Sequence, residues 1–187
     1  MTEMKTVFLV GYMGCGKTTL GVALARVMRR RFIDLDEEVE REQGRTVKEI
    51  FTEQGEDAFR ALEKEALRRV ATVDGAIVAC GGGTPCVDGA MELMNGVGVT
   101  VWLDANAKRI AARLCLPEEK VKRPQVAALH DDEVPALVAQ GLAERTPYYS
   151  QAVLRFDSTF LESADQIEAS ARSLAALLEA YSFERAK

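Results

Sequence analysis

Residues 11–18 combine three glycines with a lysine and a threonine in the order Gly-Tyr-Met-Gly-Cys-Gly-Lys-Thr. This order fits the pattern Gly-x-x-x-x-Gly-Lys-[Ser/Thr], whose glycines let the backbone curl so that successive N–H groups point inward. A helix that follows adds its positive end to this nest of donors, so a polyphosphate is the natural ligand. Lys17 would neutralise β- and γ-phosphate oxygens, and the Thr18 hydroxyl would enter the coordination shell of a bridging Mg²⁺.

The context of this loop supports the phosphate-binding interpretation, because the pattern follows a short apolar stretch and precedes a helical one. A glycine-rich turn without a ligand is the alternative. A dinucleotide fingerprint is weaker, because Thr19 stands where that fingerprint has Gly or Ala. A thiol at Cys15 beside the phosphates predicts that thiol-directed reagents block nucleotide binding. The residues of this segment expected to contact the nucleotide are Gly14, Cys15, Gly16, Lys17, Thr18 and Thr19.

Two carboxylates follow the next apolar stretch, in the segment Phe-Ile-Asp-Leu-Asp at 32–36. Alternate side chains of a strand leave the same face of the sheet, so Asp34 and Asp36 are expected to share one site. Asp34 would reach a water on the metal ion, and Asp36 would reach a hydroxyl of the phosphate acceptor. The alternative is a helix start rich in acids, since Glu37 and Glu38 follow.

Two arginines and a run of glycines are further candidates for the acceptor site. Arg60 lies beside the apolar stripe of a helical segment, and Arg145 precedes Thr-Pro-Tyr-Tyr. By composition alone, either arginine is an ordinary surface charge. Gly81, Gly82 and Gly83 follow a predicted strand, where consecutive glycines permit close approach of the backbone to a ligand. A simple loop is the alternative for these glycines.

The elements that must position these residues are predicted by the apolar patterns. Stretches rich in β-branched and apolar residues predict strands at 6–10, 32–35, 76–80, 99–103 and 152–156. Helical patterns lie between them. One helix opens at Thr46, with Glu49 completing a capping box, and the last spans about 164–181. Strands that alternate with helices predict an α/β fold with a parallel sheet flanked by helices.

The bulk composition narrows the class of protein. The 187 residues suffice for one domain with one core. A net charge of -5 argues against a nucleic-acid partner, because a surface that neutralises a phosphate backbone is basic. We expect no membrane span, no secretory signal and a cytoplasmic location, since no apolar stretch is long enough and the amino terminus lacks a signal pattern. The four cysteines contain no Cys-x-x-Cys pair, so neither a zinc site nor a disulfide framework is indicated.

The stretch 113–130 interrupts the alternation of strands and helices. It mixes two prolines with many charged residues and few large apolar ones. Next to a nucleotide site, this composition favours a mobile flap. Standing alone, it would favour a solvated connecting loop.

Together these features resemble the shikimate kinase family, whose motifs they follow in the same order along most of the chain. The matching pieces are residues 11–19, Asp34 with Asp36, Gly55-Glu56-Asp57-Ala58-Phe59-Arg60, Gly81 to Gly83, Arg123-Pro124, and Arg145 ahead of Tyr148 and Tyr149. The resemblance implies a P-loop NTPase fold with a central five-stranded parallel sheet. It also implies a single domain over 1–187, with a helical substrate-binding region at about 36–70 and a lid at about 113–130.

The activity that the resemblance implies is transfer of phosphate from ATP to the 3-hydroxyl of shikimate, in aromatic amino acid biosynthesis. Arg60 and Arg145 would grip the shikimate carboxylate, a task suited to the planar guanidinium group. Asp36 would bind ring hydroxyls and orient or deprotonate the attacking 3-hydroxyl. The glycine backbone around Gly82 would complete the acceptor pocket.

Arg123 would swing in with the lid, contact the nucleotide and offset charge on the transferred phosphoryl group. The residues that the resemblance implies for catalysis are Lys17, Asp36 and Arg123, and those for the metal are Thr18 and Asp34. The expected ligands are ATP and shikimate, the expected cofactor is Mg²⁺, and we expect a monomer.

The chain departs from the family pattern at three places. Cys15 stands where Ser or Ala is frequent, Thr18 replaces the commoner Ser, and Gln125-Val126 replaces paired leucines. No residue is identified for contact with adenine. Two other functions stay open: a kinase for another small polyol acid such as gluconate, and a nucleotide-binding regulatory module without turnover. A kinase for another polyol acid would not require Asp36, Arg60 and Arg145 together. A regulatory module would be expected to have lost Asp36 or one of the two arginines.

Overall fold

The structure is a computed structural model that describes residues 5–184. Its strands are β1 (Thr6–Val10), β2 (Phe32–Asp34), β3 (Ile77–Ala79), β4 (Gly98–Asp104) and β5 (Leu154–Asp157). They form one sheet in the order β2-β3-β1-β4-β5, and every neighbouring pair is parallel. The predicted five-stranded parallel sheet is therefore confirmed, and each strand begins and ends within two residues of its predicted bounds.

Nine α-helices and a 3₁₀ turn connect and cover these strands within the described part of the chain. The helices are α1 (Lys17–Met28), α2 (Leu35–Gln43), α3 (Val47–Val70), α4 (Ala90–Val97), α5 (Ala107–Leu114), α6 (Pro117–Lys120), α7 (Pro124–Ala127), α8 (Val134–Tyr149) and α9 (Ala164–Glu184), and the 3₁₀ turn is Thr84–Cys86. The interrupted stretch between α5 and α8 thus contains two single-turn helices. None of the helices in residues 5–184 has the length and apolar character needed to cross a membrane.

The central strand β1 is buried on both of its faces, which explains its unbroken apolar sequence. Val7 and Leu9 belong to a core cluster with α1, α5, α8 and α9, whereas Phe8 and Val10 belong to a second cluster with α2, α3 and α4. Strand β1 pairs with β3 on one side and β4 on the other. Chain connections diverge from this strand, and in such sheets ligands bind beyond the carboxyl ends of the strands at that point.

Helix α3 carries Arg60 and begins as the sequence predicts. Thr46 and Glu49 form the capping box, with each side chain bonded to the backbone of the other residue. The helix is kinked at Gly55, which has a φ of 84°. Its predicted apolar stripe is confirmed as core, since Phe59 and Leu67 are buried.

Candidate active site

The glycine-rich loop lies beyond the carboxyl end of β1 and leads directly into α1. Gly16 is the N-cap of α1 and has a φ of 97°, a conformation that L-residues with side chains rarely adopt. A Cβ at this position would also run into the Leu161 side chain. The first amides of α1 have no partners within the helix, so the loop and the helix start present donors to a phosphate.

Lys17 and Thr18 make their contacts within this loop and with β2. The Lys17 amine donates to the carbonyl oxygens of Gly11, at 2.8 Å, and Tyr12, at 2.9 Å. The Thr18 hydroxyl donates to a carboxylate oxygen of Asp34 at 2.9 Å. The pair of oxygen ligands expected at the metal therefore lies together in the structure.

Cys15 corrects one expectation from the sequence. Its side chain is fully buried and packs in the core beneath the loop, whereas Gly14, Gly16 and Thr19 line the cleft above. The Cys15 backbone N–H donates to the Tyr12 carbonyl at 3.2 Å. The thiol therefore does not lie exposed beside the phosphates, and the structure removes the basis for expecting thiol reagents to reach it.

The two carboxylates near residue 35 share a site, but not in the way that the strand spacing predicted. Strand β2 ends at Asp34, and Asp36 lies in the first turn of α2. Asp34 is the N-cap of that helix, where its side chain accepts the Asp36 N–H at 3.1 Å. The alternative, a helix start rich in acids, is therefore what forms. Both side chains still line the cleft.

Asp36 is held in an environment that opposes its ionisation. Its Oδ1 atom is buried and has no hydrogen-bond partner among the described residues. Burial is the largest cause, and together with repulsion from Glu63 and Asp34 it raises the pKa of Asp36 to about 7. The charges of Lys17 and Arg60 act in the opposite direction. A carboxyl with a pKa near neutrality can accept a proton from a hydroxyl and release it again.

Glu63 is a functional candidate that the sequence reasoning missed. It lies on the apolar stripe of α3, and its side chain is 0% exposed. It accepts hydrogen bonds from Arg60 Nη1 at 2.8 Å and from Thr84 Oγ1 at 2.5 Å. The only signal in the sequence was a glutamate at a position where the helical period demands an apolar residue. Buried carboxylates are rarely tolerated without such partners.

Arg60 is fixed by carboxylates, aromatic rings and the glycine run. Beside Glu63, it donates to Glu56 at 3.0 Å, and its guanidinium carbon lies 5.3 Å from the centre of the Phe59 ring. A Cβ at Gly83 would stand 2.5 Å from Arg60 Nη2, so glycine is what allows the arginine to lie against this backbone. The simple-loop alternative for the glycine run therefore does not describe its packing.

Gly82 and Arg145 each contact a tyrosine. The Gly82 carbonyl accepts a hydrogen bond from the buried Tyr149 hydroxyl at 2.6 Å. The Arg145 guanidinium lies 5.2 Å from the centre of the Tyr12 ring, which belongs to the phosphate-binding loop. Helix α8 thus presents Arg145 next to the loop rather than to open solvent alone.

Cys86 lies near enough to Arg60 and Arg145 for the charges of both to act on its thiol. Burial raises the pKa of the Cys86 thiol, whereas the charges of Arg145 and Arg60 both lower it. The arginines are therefore near a common point at the end of the glycine run. Neither arginine lines the cleft that contains the carboxylates.

Arg123 lies at the mouth of the cleft, as the N-cap of α7. Its Nη1 atom donates to the Glu119 carbonyl oxygen at 3.0 Å and to the Glu119 carboxylate at 2.5 Å. The cleft has a volume of about 670 Å³ and also reaches the loop, both aspartates and the glycine run. The predicted lid segment thus contributes directly to the walls around the phosphate-binding loop.

Arg113 is a second residue that the sequence reasoning missed. Its guanidinium donates to the carbonyl oxygens of Gly14, at 3.1 Å, and Thr159, at 2.6 Å, and it pairs with Glu162 at 3.2 Å. These contacts join the phosphate-binding loop to the segment after β5. An arginine in the last turn of a helix is ordinary by sequence, so no local signal marked this role.

The donor set in the cleft suits a hard cation bound together with phosphates. Mg²⁺ prefers oxygen ligands and is commonly held by one or two side chains plus substrate phosphates. Thr18 and Asp34 supply such oxygens at the foot of the cleft. Within residues 5–184, no group of three or more His, Cys, Asp and Glu side chains is arranged to hold a metal ion.

Comparisons with known proteins identify the family and the fold. A sequence model of the family described as shikimate kinase matches residues 13–178. The shikimate kinase of Phocaeicola vulgatus is 44% identical over 171 residues, covering 91% of this chain and 97% of the relative. A crystal structure of shikimate kinase from Bacteroides thetaiotaomicron has a TM-score of 0.89 at 43% identity, covering 94% of this chain and 99% of that one. Shikimate kinase from Acinetobacter baumannii in complex with shikimate has a TM-score of 0.81 at 27% identity, covering 95% and 94% of the respective chains. The chain therefore belongs to the shikimate kinase family.

Proposed function

We propose that this protein transfers the γ-phosphate of ATP to the 3-hydroxyl of shikimate, giving shikimate 3-phosphate and ADP for aromatic amino acid biosynthesis. The observation that carries the proposal is the position of Asp36. This carboxyl has a buried, unpartnered oxygen, a pKa near 7 and a place in the same cleft as Lys17. A hydroxyl bound to Asp36 is thus presented to the phosphate-binding loop.

The acceptor is bound by opposite charges at its two ends. Arg60 and Arg145 bind the carboxylate of shikimate, and Asp36 binds its ring hydroxyls. Support comes from the packing of Arg60 against Gly83 and from the stacking of Arg145 on Tyr12. The backbone at Gly82 closes the pocket between them.

Phosphoryl transfer proceeds in line, with positioning and electrostatics supplying most of the rate. The 3-hydroxyl oxygen forms a bond to the γ-phosphorus, the bond from that phosphorus to the bridging oxygen breaks, and ADP leaves. Asp36 orients the hydroxyl and takes its proton. Lys17 exchanges its contacts with the loop carbonyls for phosphate oxygens, and Arg123 offsets charge from the lid side.

Nucleotide phosphates are held by Gly14, Gly16, Lys17, Thr18 and Thr19, together with the backbone N–H groups at the start of α1. Mg²⁺ would be held by the Thr18 hydroxyl, with the Asp34 carboxylate reaching a water on the ion. When bound, it supplies charge neutralisation on the phosphate oxygens.

The larger organisation is part of the same proposal. Residues 36–70 form the acceptor-binding region, residues 113–130 form a lid over the nucleotide, and 1–187 is a single domain. The proposed site is complete within one chain, so the proposal takes the monomer as the working unit. ATP as co-substrate supports a location in the cytoplasm.

The assignment of Arg60 is tested by separating the two substrates. Arg60→Ala should raise the KM for shikimate by about tenfold to a hundredfold, since one charged hydrogen-bonding contact contributes about 1.5–3 kcal/mol. The Kd for ATP should stay within about twofold of the parent value, because Arg60 does not line the nucleotide cleft. Coupled ADP release gives the first quantity, and titration calorimetry gives the second.

Two further variants serve as controls for this experiment. Arg68→Ala removes an exposed arginine from the same helix and should leave both constants unchanged. Arg60→Lys keeps a positive charge beside buried Glu63, so it protects the fold while losing the guanidinium geometry. Equal losses of affinity for shikimate and ATP would refute the placement of Arg60.

The alternative functions are tested by the same assay. ADP release that requires shikimate, and that gluconate does not support, is the expected result. Release with gluconate in place of shikimate would favour a different polyol acid. An absence of release with any acceptor would favour a regulatory module.

A further inference from the structure

Glu119 lies at the centre of a small charge cluster in the lid segment. Its carboxylate accepts from Arg123 at 2.5 Å through one oxygen and from Lys122 at 2.8 Å through the other. Its carbonyl oxygen accepts a further bond from the Arg123 guanidinium at 3.0 Å. A single residue therefore pairs with two of the cations that this segment turns toward the cleft, Lys122 and Arg123.

The ion pair between Glu119 and Arg123 is shielded from solvent well enough to contribute to the binding energetics. The side chains of Glu119 and Arg123 are 26% and 25% exposed, whereas Lys122 is 63% exposed. Burial raises the pKa of Glu119, but hydrogen bonds from Lys122 and Arg123 outweigh it, so the pKa lies below its ordinary value. The carboxylate is thus ionised at neutral pH and carries a full negative charge at the cleft wall.

A triphosphate entering this cleft would need the same cations. Glu119, Lys122 and Arg123 all line the space above the phosphate-binding loop. A guanidinium has a limited set of donors, and those of Arg123 that face Glu119 cannot serve a phosphate at the same time. The Glu119 carboxylate would in addition repel the phosphate oxygens that approach it.

We propose that Glu119 is a positioning residue that binds Arg123 in competition with the triphosphate of ATP. ATP binding then exchanges one anion for another on Arg123, and the exchange couples nucleotide entry to rearrangement of the lid segment. This inference rests on the proposed function, because it takes Arg123 as a ligand of the nucleotide.

The test is the affinity for ATP without acceptor, measured by titration calorimetry at fixed ionic strength and Mg²⁺ concentration. Glu119→Gln should bind ATP about three- to tenfold more tightly than the parent, the range expected when a competing, partly shielded ion pair is weakened. Glu118→Gln is the matched control, because this exposed neighbour lines the same cleft and has no hydrogen bond or ion pair among residues 5–184. It should change the affinity by less than about twofold.

Two outcomes would overturn the inference alone. An equal gain in both glutamine variants would mean that overall charge, not the contact with Arg123, sets the affinity. Weaker binding by Glu119→Gln would mean that the carboxylate prepares Arg123 for the nucleotide and does not compete with it. A melting temperature within a few degrees of the parent confirms that each variant is folded.

Arg123→Met separates failure of this inference from failure of the proposed function. It should weaken ATP binding, and Glu119→Gln should have no further effect on affinity in that background. Full affinity in Arg123→Met would overturn the role of Arg123 and the inference with it. Weakened affinity in Arg123→Met, together with an unchanged Glu119→Gln single variant, would overturn the inference and leave the role of Arg123 standing.

Discussion

Replacement of Asp36 by asparagine should remove phosphoryl transfer while stabilising the fold, and the stabilisation should grow with pH. Asp36 is a carboxyl whose burial, together with the nearby charges of Glu63 and Asp34, raises its pKa from 3.8 to about 7. One of its oxygens is buried without a partner. Asparagine has nearly the same shape and cannot ionise, so it removes the cost of a buried negative charge.

The sign and size of the effect follow from the two pKa values. Between pH 3.8 and about 7 the folded protein keeps a proton on Asp36 that the unfolded chain releases, so the parent loses stability as pH rises through this window. Each unit corresponds to about 1.4 kcal/mol. The free energy of unfolding of Asp36→Asn, relative to the parent, should therefore be about 3 kcal/mol larger at pH 8 than at pH 5, since about two units of this window lie above pH 5.

Urea unfolding at the two pH values, followed by fluorescence of the single tryptophan, Trp102, measures this difference. Subtracting the parent's free energy of unfolding from that of Asp36→Asn at each pH cancels the titration of the groups that the substitution leaves untouched. Glu37→Gln is the control, since it removes an exposed carboxylate from the same helical turn and should show a much smaller pH dependence. A difference between Asp36→Asn and the parent that stays constant, or that shrinks at pH 8, would refute the electrostatic account of Asp36.

Three other substitutions test neighbouring parts of the structure. Glu63→Gln removes a charge that raises the pKa of Asp36, so the acid limb of the kcat profile, expected near pH 7 in the parent, should move to lower pH; an unmoved limb would contradict this. Gly83→Ala places a Cβ 2.5 Å from the flexible end of Arg60, so the KM for shikimate should rise while the melting temperature changes little, and a large loss of stability with an unchanged KM would count against it. Thr46→Ala breaks the capping box of α3 and should lower the free energy of unfolding by about 1 kcal/mol in urea titrations. An unchanged free energy of unfolding would mean that the cap is redundant.

Features set by residues close together in the chain were predictable from sequence. The phosphate-binding loop depends on glycines and a following helix within eight residues, and Gly14 and Gly16 indeed adopt positive φ angles. The strands follow from apolar runs, and the capping box follows from the spacing of Thr46 and Glu49. Their order alone predicted a parallel sheet, because connections through helices return strands in the same direction.

Predictions that depended on which way a side chain points were less secure. The Cys15 thiol lies in the core, because the loop turns this side chain, like that of Tyr12, inward. Asp36 belongs to a helix rather than a strand, since Asp34 accepts its N–H and caps α2 one residue earlier than the apolar run suggested. For Asp36, a difference of one residue in where the strand ends changed the element that carries the functional group.

The amino-acid sequence by itself therefore determined the phosphate-binding loop, the sheet and the family motifs, because each depends on the spacing of residues that are close together in the chain. Tertiary structure alone decided the surroundings that tune them. Glu63 is a tolerable buried charge only because Thr84 and Arg60 converge on it. Arg113 joins Gly14 of the loop, 99 residues earlier in the chain, to Thr159, 46 residues later. Desolvation and charge–charge interaction depend on distance in space, and a linear pattern contains no record of which distant residues will meet.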